Sequence, residues 1–114
     1  MRHADFIFTQ FYNNPSCNLN TTGFAASFAA WSKQLKTINS TKPGRPRLYV
    51  GGGAFADAGS GYVPGMDLKG HIAKARKLKT KNFGGMMLWD GSEGMANVYE
   101  HGKDYVAYAK QAVQ

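Results

Sequence analysis

Cysteine is all but missing from this sequence: Cys17 stands alone, so no disulfide can close within the chain. No His or Lys lies close to it in sequence, so nothing local marks it as an activated nucleophile. Long apolar runs are missing as well. No stretch approaches the roughly 18 apolar residues that a membrane-spanning helix needs. The apolar residues Phe6-Ile7-Phe8 near the start are interrupted at Gln10, too soon for the core of a secretory leader. On this evidence the chain either stays inside the cell or has its true beginning upstream. Acidic groups are scarce, seven against fourteen Lys and Arg. The three histidines, His3, His71 and His101, are far apart and share no metal-ligand spacing, so neither a metal site nor a cofactor is expected.

What is present is a single domain's length of chain, 114 residues with 43% hydrophobic residues, enough to bury a core. Glycine is abundant at 14 residues and charge is modest at 18%, which excludes a disordered tail or a coiled coil. The net charge of +7 raises the question of a nucleic-acid or anionic-surface partner. The cations are dispersed, however, over residues 33–36, 42–47 and 103–110. The densest run, Lys69 to Lys81, has helical spacing, with Leu68, Ile72, Ala75 and Leu78 on one side and Lys69, Lys74, Arg76 and Lys77 on the other. That pattern is an amphipathic helix with a solvated basic face, and no nucleic-acid partner is expected. Asn20-Thr21-Thr22 and Asn39-Ser40-Thr41 fit the N-glycosylation pattern, which is short and common by chance.

The order of elements reads strand, helix, strand, helix, strand, helix. Residues 5–12 are rich in Phe and other strand formers, and Asn13-Asn14-Pro15-Ser16 stops them with turn residues. Phe24, Phe28, Trp31, Leu35 and Ile38 mark a helical stripe, with Thr22 placed to cap it. Trp31 is thus expected in a helix–sheet contact. After the loop at 42–46, residues 47–50 form a short strand, and a glycine-rich loop from Gly51 to Gly65 leads to a helix over roughly 66–79. Phe83 to Trp89 is a continuous apolar run suited to a strand covered on both faces. A last helix is expected from about Asn97 to Val113, with Val98, Gly102, Val106, Ala109 and Val113 inward. Strands alternating with amphipathic helices imply an α/β fold with a parallel sheet. Three such strands leave two bare edges, as though cut from something larger.

In parallel α/β folds, chemistry gathers at the carboxyl ends of the strands. Simple alternation puts Phe6, Phe8, Gln10 and Tyr12 on one face of the first strand, so Gln10 and Tyr12 are adjacent polar groups at its functional end. They serve either a ligand or a hydrogen-bond network under a loop. Trp89, at the end of the third strand, is either core or a flat floor for a sugar ring. Asp90 and Glu93 invite comparison with a hydrolytic carboxylate pair, but Asp90-x-x-Glu93 fits a helix cap at least as well. Gly51-Gly52-Gly53-Ala54-Phe55-Ala56 matches a dinucleotide fingerprint, yet no helix can open within it, which leaves nucleotide binding as a distant alternative.

Three segments carry a resemblance. Gln10-Phe11-Tyr12-Asn13-Asn14-Pro15-Ser16-Cys17 resembles the sixth-strand signature of the plant- and fungal-type class III endochitinases of glycoside hydrolase family 18. Ala58-Gly59-Ser60-Gly61-Tyr62-Val63 resembles the loop after that family's seventh strand, and Phe83-Gly84-Gly85-Met86-Met87-Leu88-Trp89-Asp90 its eighth strand. The order and intervals fit, and details look fungal. The resemblance implies a (β/α)8 barrel of which residues 1–114 supply strands six to eight with their helices, an incomplete barrel. It implies hydrolysis of β-1,4-linked N-acetylglucosamine in chitin with retention, by a route in which the substrate's own acetamido oxygen attacks the anomeric carbon. Tyr12 then matches the tyrosine that holds the acetamido group, Gln10 and Asn13 line the same subsite, and Trp89 lies beneath the sugar, often with a cis peptide to the next residue. An extracellular setting is implied, as is a pairing of the cysteine at the Cys17 position with an earlier one. The family's D-x-x-D-x-D-x-E segment, which carries the catalytic acid, does not occur: the acidic residues stand at 5, 57, 67, 90, 93, 100 and 104. The expectation is a chitinase-family chain inactive by itself, needing the other part of its barrel. The alternative is a non-catalytic chitin-binding module.

Overall fold

The computed structural model describes residues 3–38, 41–98 and 102–114. Three strands, β1 (Phe6–Gln10), β2 (Arg47–Gly53) and β3 (Phe83–Trp89), form one parallel sheet in sequence order. Helix α1 (Gly23–Lys36) joins β1 to β2, and α2 (Gly65–Arg76) joins β2 to β3. Two helices follow, the short α3 (Gly91–Ala96) and α4 (Tyr105–Val113). The α/β class with parallel strands is as expected. No described helix is long and apolar enough to cross a membrane.

The core lies on one face of the sheet. Leu48 and Val50 of β2 are fully buried, as are Phe24 and Phe28 of α1 and Leu68, Ile72 and Ala75 of α2. Phe11 meets Phe24 edge-on at 4.8 Å between ring centres, a favoured aromatic geometry. Trp31 packs partly buried against this core, as its place in the stripe predicts. The opposite face carries no helix among the described residues. There Phe6 and Phe8 are 52% and 58% exposed, and both touch the edge of Tyr49. Parallel sheets are normally covered on both sides.

Several boundaries differ from expectation. Strand β2 runs three residues beyond Val50 because it is central: Gly51, Gly52 and Gly53 pair with Met87, Leu88 and Trp89, and the ladder outweighs glycine's poor strand propensity. The glycines also admit close neighbours. A Cβ on Gly51 would press on the Met87 methyl at 2.8 Å, and one on Gly53 would meet Ala58 Cβ at 3.1 Å. Helix α2 stops at Arg76, with Lys79 in the left-handed region (φ 48°), so Leu78 is exposed rather than inward. Thr22 occupies the cap position of α1 but makes no side-chain capping bond.

The largest correction concerns the last helix. It begins at Tyr105, not near Asn97, because Asp104 caps it by accepting the Ala107 N–H at 2.8 Å. Tyr105, Ala109 and Ala112 point inward; Val98 and Val106 are 60% and 38% exposed, and Gly102 is exposed. Tyr105 sets this phase, since its hydroxyl donates to the buried Val63 carbonyl at 2.8 Å. The unforeseen helix α3 ends just before the expected start, and Val98 instead forms an isolated antiparallel bridge with Asp104. Glu100 and His101 lie outside the described residues, as do Asn39 and Ser40 of the second glycosylation pattern.

Candidate functional site

The carboxyl ends of all three strands open onto loops that are tied to one another. Asn13, in the left-handed region at φ 55°, is the link between the first two. Its Oδ1 accepts the Ser60 N–H at 2.8 Å, its Nδ2 donates to the Ala58 carbonyl at 3.3 Å, and its backbone N–H donates to the Ser60 carbonyl at 2.9 Å. Gly59 (φ 135°) allows this approach, because a Cβ there would collide with the Asn13 amide. Asn18, almost fully buried, adds a second tie through Nδ2 to Ser60 Oγ at 3.1 Å. The third loop is held by Asn97, whose Nδ2 donates to the Ala54 carbonyl and to the Tyr62 hydroxyl, both at 2.9 Å. Sequence reasoning singled out Asn13 but missed Asn18 and Asn97, for nothing local distinguishes a loop asparagine that bridges from one that faces solvent.

Gln10 ends β1 on the open face of the sheet, and its Nε2 donates to the Tyr12 carbonyl at 3.0 Å. Tyr12 does not continue that face, contrary to simple alternation. The strand stops at Gln10 and the chain turns, so Phe11 and Tyr12 are both buried, at 1% and 7% exposure. Among the described residues no group bonds the Tyr12 hydroxyl. Burial pushes this phenol above its ordinary value of 10.0, so it is a neutral hydrogen-bond donor at physiological pH.

Trp89 sits on the same open face, at the end of the other outer strand, and is 57% exposed. Its peptide bond to Asp90 is cis. Gln10 pairs with Gly51, which pairs with Met87, so Trp89 lies one pleat beyond Gln10 and two strands away, roughly 10 Å across the sheet. The central strand places only Gly51 and Gly53 between them. The structure thus brings Gln10 and Trp89 to one rim, buries the Tyr12 ring just past the end of β1, and commits the Asn13 amide to the neighbouring loop.

Asp90 and Glu93 take the capping arrangement. Asp90 Oδ1 accepts the Glu93 N–H at 2.9 Å and the Ser92 hydroxyl at 3.0 Å, opening α3. Those two donors hold the Asp90 carboxyl below its ordinary value, so it is ionised at neutral pH and has no proton to give a leaving group. Likewise, no helix opens within Gly51–Ala56: a single 3-10 turn covers Ala56–Ala58, and α2 starts only at Gly65. The helix N-terminus that a pyrophosphate would need is elsewhere.

No protein-family model matches the chain. Individual proteins do. Endochitinase 3 of Metarhizium anisopliae is 34% identical over 94 residues, 82% of this chain and 29% of that protein. The acidic endochitinase of Arabidopsis thaliana is 35% identical over 89 residues, 77% of this chain and 28% of its own length. The chain is a homologue of endochitinases. It spans less than a third of the length of these curated relatives, which come from fungi and plants at similar identity. Among solved structures, a xylanase–alpha-amylase inhibitor protein in complex with trehalose superposes with a TM-score of 0.65 at 29% identity. The match covers 95% of this chain and 35% of that one.

Proposed function

We propose that residues 1–114 are the last three βα units of a family 18 chitinase barrel, and that they carry one side of an N-acetylglucosamine subsite. The observation that carries this reading is the open face of the sheet. Its outer strands end in Gln10 and the half-exposed Trp89 indole, and just past the end of β1 the Tyr12 ring is buried while its hydroxyl has no hydrogen-bond partner among the described residues. An indole face packs on the apolar C–H face of a sugar ring. A neutral phenol donates to an acetamido carbonyl, which positions that oxygen for attack on the anomeric carbon. Asn13 acts by fixing the loop behind Tyr12. The Phe6 and Phe8 side chains on the same face are suited to a barrel interior formed with further strands, since both outer edges of the sheet are unpaired among the described residues.

The acid that protonates the leaving oxygen must come from the rest of the barrel. Three of the described carboxylates are engaged elsewhere: Asp90 caps α3 and is held ionised, Asp104 caps α4, and Asp5 is paired with Lys42. General acid–base catalysis contributes about 10²–10⁴-fold in rate. The isolated chain should therefore release no new reducing ends from chitin oligomers, and their release by the purified chain would refute this reading. A second reading, a non-catalytic sugar-binding module, draws support from the near-complete overlap with an inhibitor protein bound to trehalose. Calorimetric titration with chitotetraose separates the two. Saturable binding by this chain that is lost in Trp89→Ala favours the module; no binding until the barrel is completed favours the enzyme part.

A further inference from the structure

The amino end of the sheet, opposite the sugar-facing rim, holds a cavity of about 520 Å³. Five cations line it: Lys36 from the end of α1, Lys42 and Arg45 from the loop into β2, and Lys79 and Lys81 from the loop into β3. In sequence they look dispersed, and the expected picture of one solvated helix face does not describe them. The fold draws three separate segments together because right-handed βαβ connections return every loop of this kind to the same end of the sheet. The lining comes from the end of α1 and from the loops that lead into β2 and β3, all within residues 35–82.

Gathering like charges is unfavourable unless something compensates. Compensation within the described residues is small. The Asp5 carboxylate pairs with Lys42 at 3.0 Å, and the α1 C-terminus favours a cation such as Lys36 through its dipole. Neither accounts for Arg45 or Lys81, which lie on loops. Arg45 is also held in place: its guanidinium stacks 5.1 Å over the Phe6 ring, and Nη1 makes a long contact of 3.5 Å to the Asp5 carbonyl. A fixed planar fork is suited to two-point contact with an oxyanion. Lys79 occupies a left-handed position, φ 48°, where Gly or Asn is usual, so a long cationic side chain stands there at a conformational cost. Thr80 and Asn82 add neutral hydrogen-bonding groups to the wall.

We propose that this groove binds a small anion carrying two or more phosphate groups. Its volume is in the range of small-ligand sites, and only a compact, multiply charged ligand can neutralise five cations in that space. The site is separate from the sugar-facing rim and makes no use of it.

The test is calorimetric titration of the 114-residue chain with inorganic tripolyphosphate at about 0.15 M salt. One saturable site is expected. Arg45→Gln should weaken it about tenfold or more, as befits loss of a charged hydrogen-bonding group, and the exposed Lys81→Gln should weaken it several-fold with the circular dichroism melt unchanged. Lys69→Gln with Lys103→Gln, which removes two charges at the other end of the sheet, should leave it intact. Equal weakening by that control pair would overturn the proposal in favour of diffuse charge. Binding that disappears at this salt concentration, or an oligonucleotide that binds while tripolyphosphate does not, would overturn it as well. Adenosine triphosphate separates the sources: affinity equal to tripolyphosphate marks the phosphates as the ligand, and tighter binding marks a nucleotide.

Discussion

At the carboxyl end of the sheet, amides and hydroxyls from three loops satisfy one another, whereas at the amino end five cations face a groove with one carboxylate paired beside it. The first arrangement is self-contained in its bonding but open in its surface: Gln10 and Trp89 stand exposed on a sheet whose outer edges are bare. The second is an open groove whose charge is unbalanced among the described residues. The difference teaches that completeness of a site and satisfaction of its polar groups are separate properties. A rim can be tied by hydrogen bonds between its loops and still hold an unpartnered group such as the Tyr12 hydroxyl, and a groove can gather cations with little counter-charge among the described residues.

The strongest way to break this contrast is to complete the carboxyl end. In the complete barrel proposed above, with a catalytic acid supplied, Tyr12→Phe should lower kcat by about 10²–10³-fold, the usual cost of losing a donor to the reacting group. KM should change much less, and steady-state kinetics on chitin oligomers would read the split. An unchanged kcat would remove Tyr12 from the reaction. Next in size, Tyr105→Phe should destabilise the fold by about 1–3 kcal/mol, because the buried Val63 carbonyl loses its donor; denaturant unfolding measures this.

Smaller effects sharpen the comparison between the ends. Asp90→Ala should lower the melting temperature through loss of the α3 cap. Because the folded Asp90 carboxyl is held below its ordinary value of 3.8, its contribution is present above that pH and is lost as pH falls through the folded value. The variant's melting curve should therefore converge with the parent's in acid. At the amino end, Asp5→Asn should cost under about 1 kcal/mol, since the ion pair with Lys42 is solvent-exposed. It should also tighten tripolyphosphate binding, by removing a carboxylate that lies beside the groove.

Much of the fold could be read along the chain. The Phe24–Leu35 stripe and the strand–helix alternation depend on local patterns and form as those dictate; Phe83–Trp89 forms its strand too, but with mostly half-buried residues and an exposed Trp89 rather than cover on both faces. The Asp90 cap is local too, spanning three residues. Failures came where distant groups decide. Gly51–Gly53 look like a loop until two flanking strands claim their backbone. Tyr12 belongs to an alternation that a turn at Asn13 cancels, and that turn exists because the Asn13 amide finds Ser60 and Ala58 across the sheet. The start of α4 follows from Asp104 and from a tyrosine hydroxyl reaching a carbonyl in another loop.

The sequence by itself determined the α/β class, the inward face of α1 and the kinship with endochitinases, because periodicity and local signatures survive without knowledge of what lies beside them. Only the tertiary structure decided that Tyr12 turns inward while Gln10 and Trp89 share an open rim, and that five scattered cations meet at one groove. The physical reason is the same in both cases. A parallel sheet returns every loop of one kind to one end, so residues separated by dozens of positions become neighbours through connections that no short window contains.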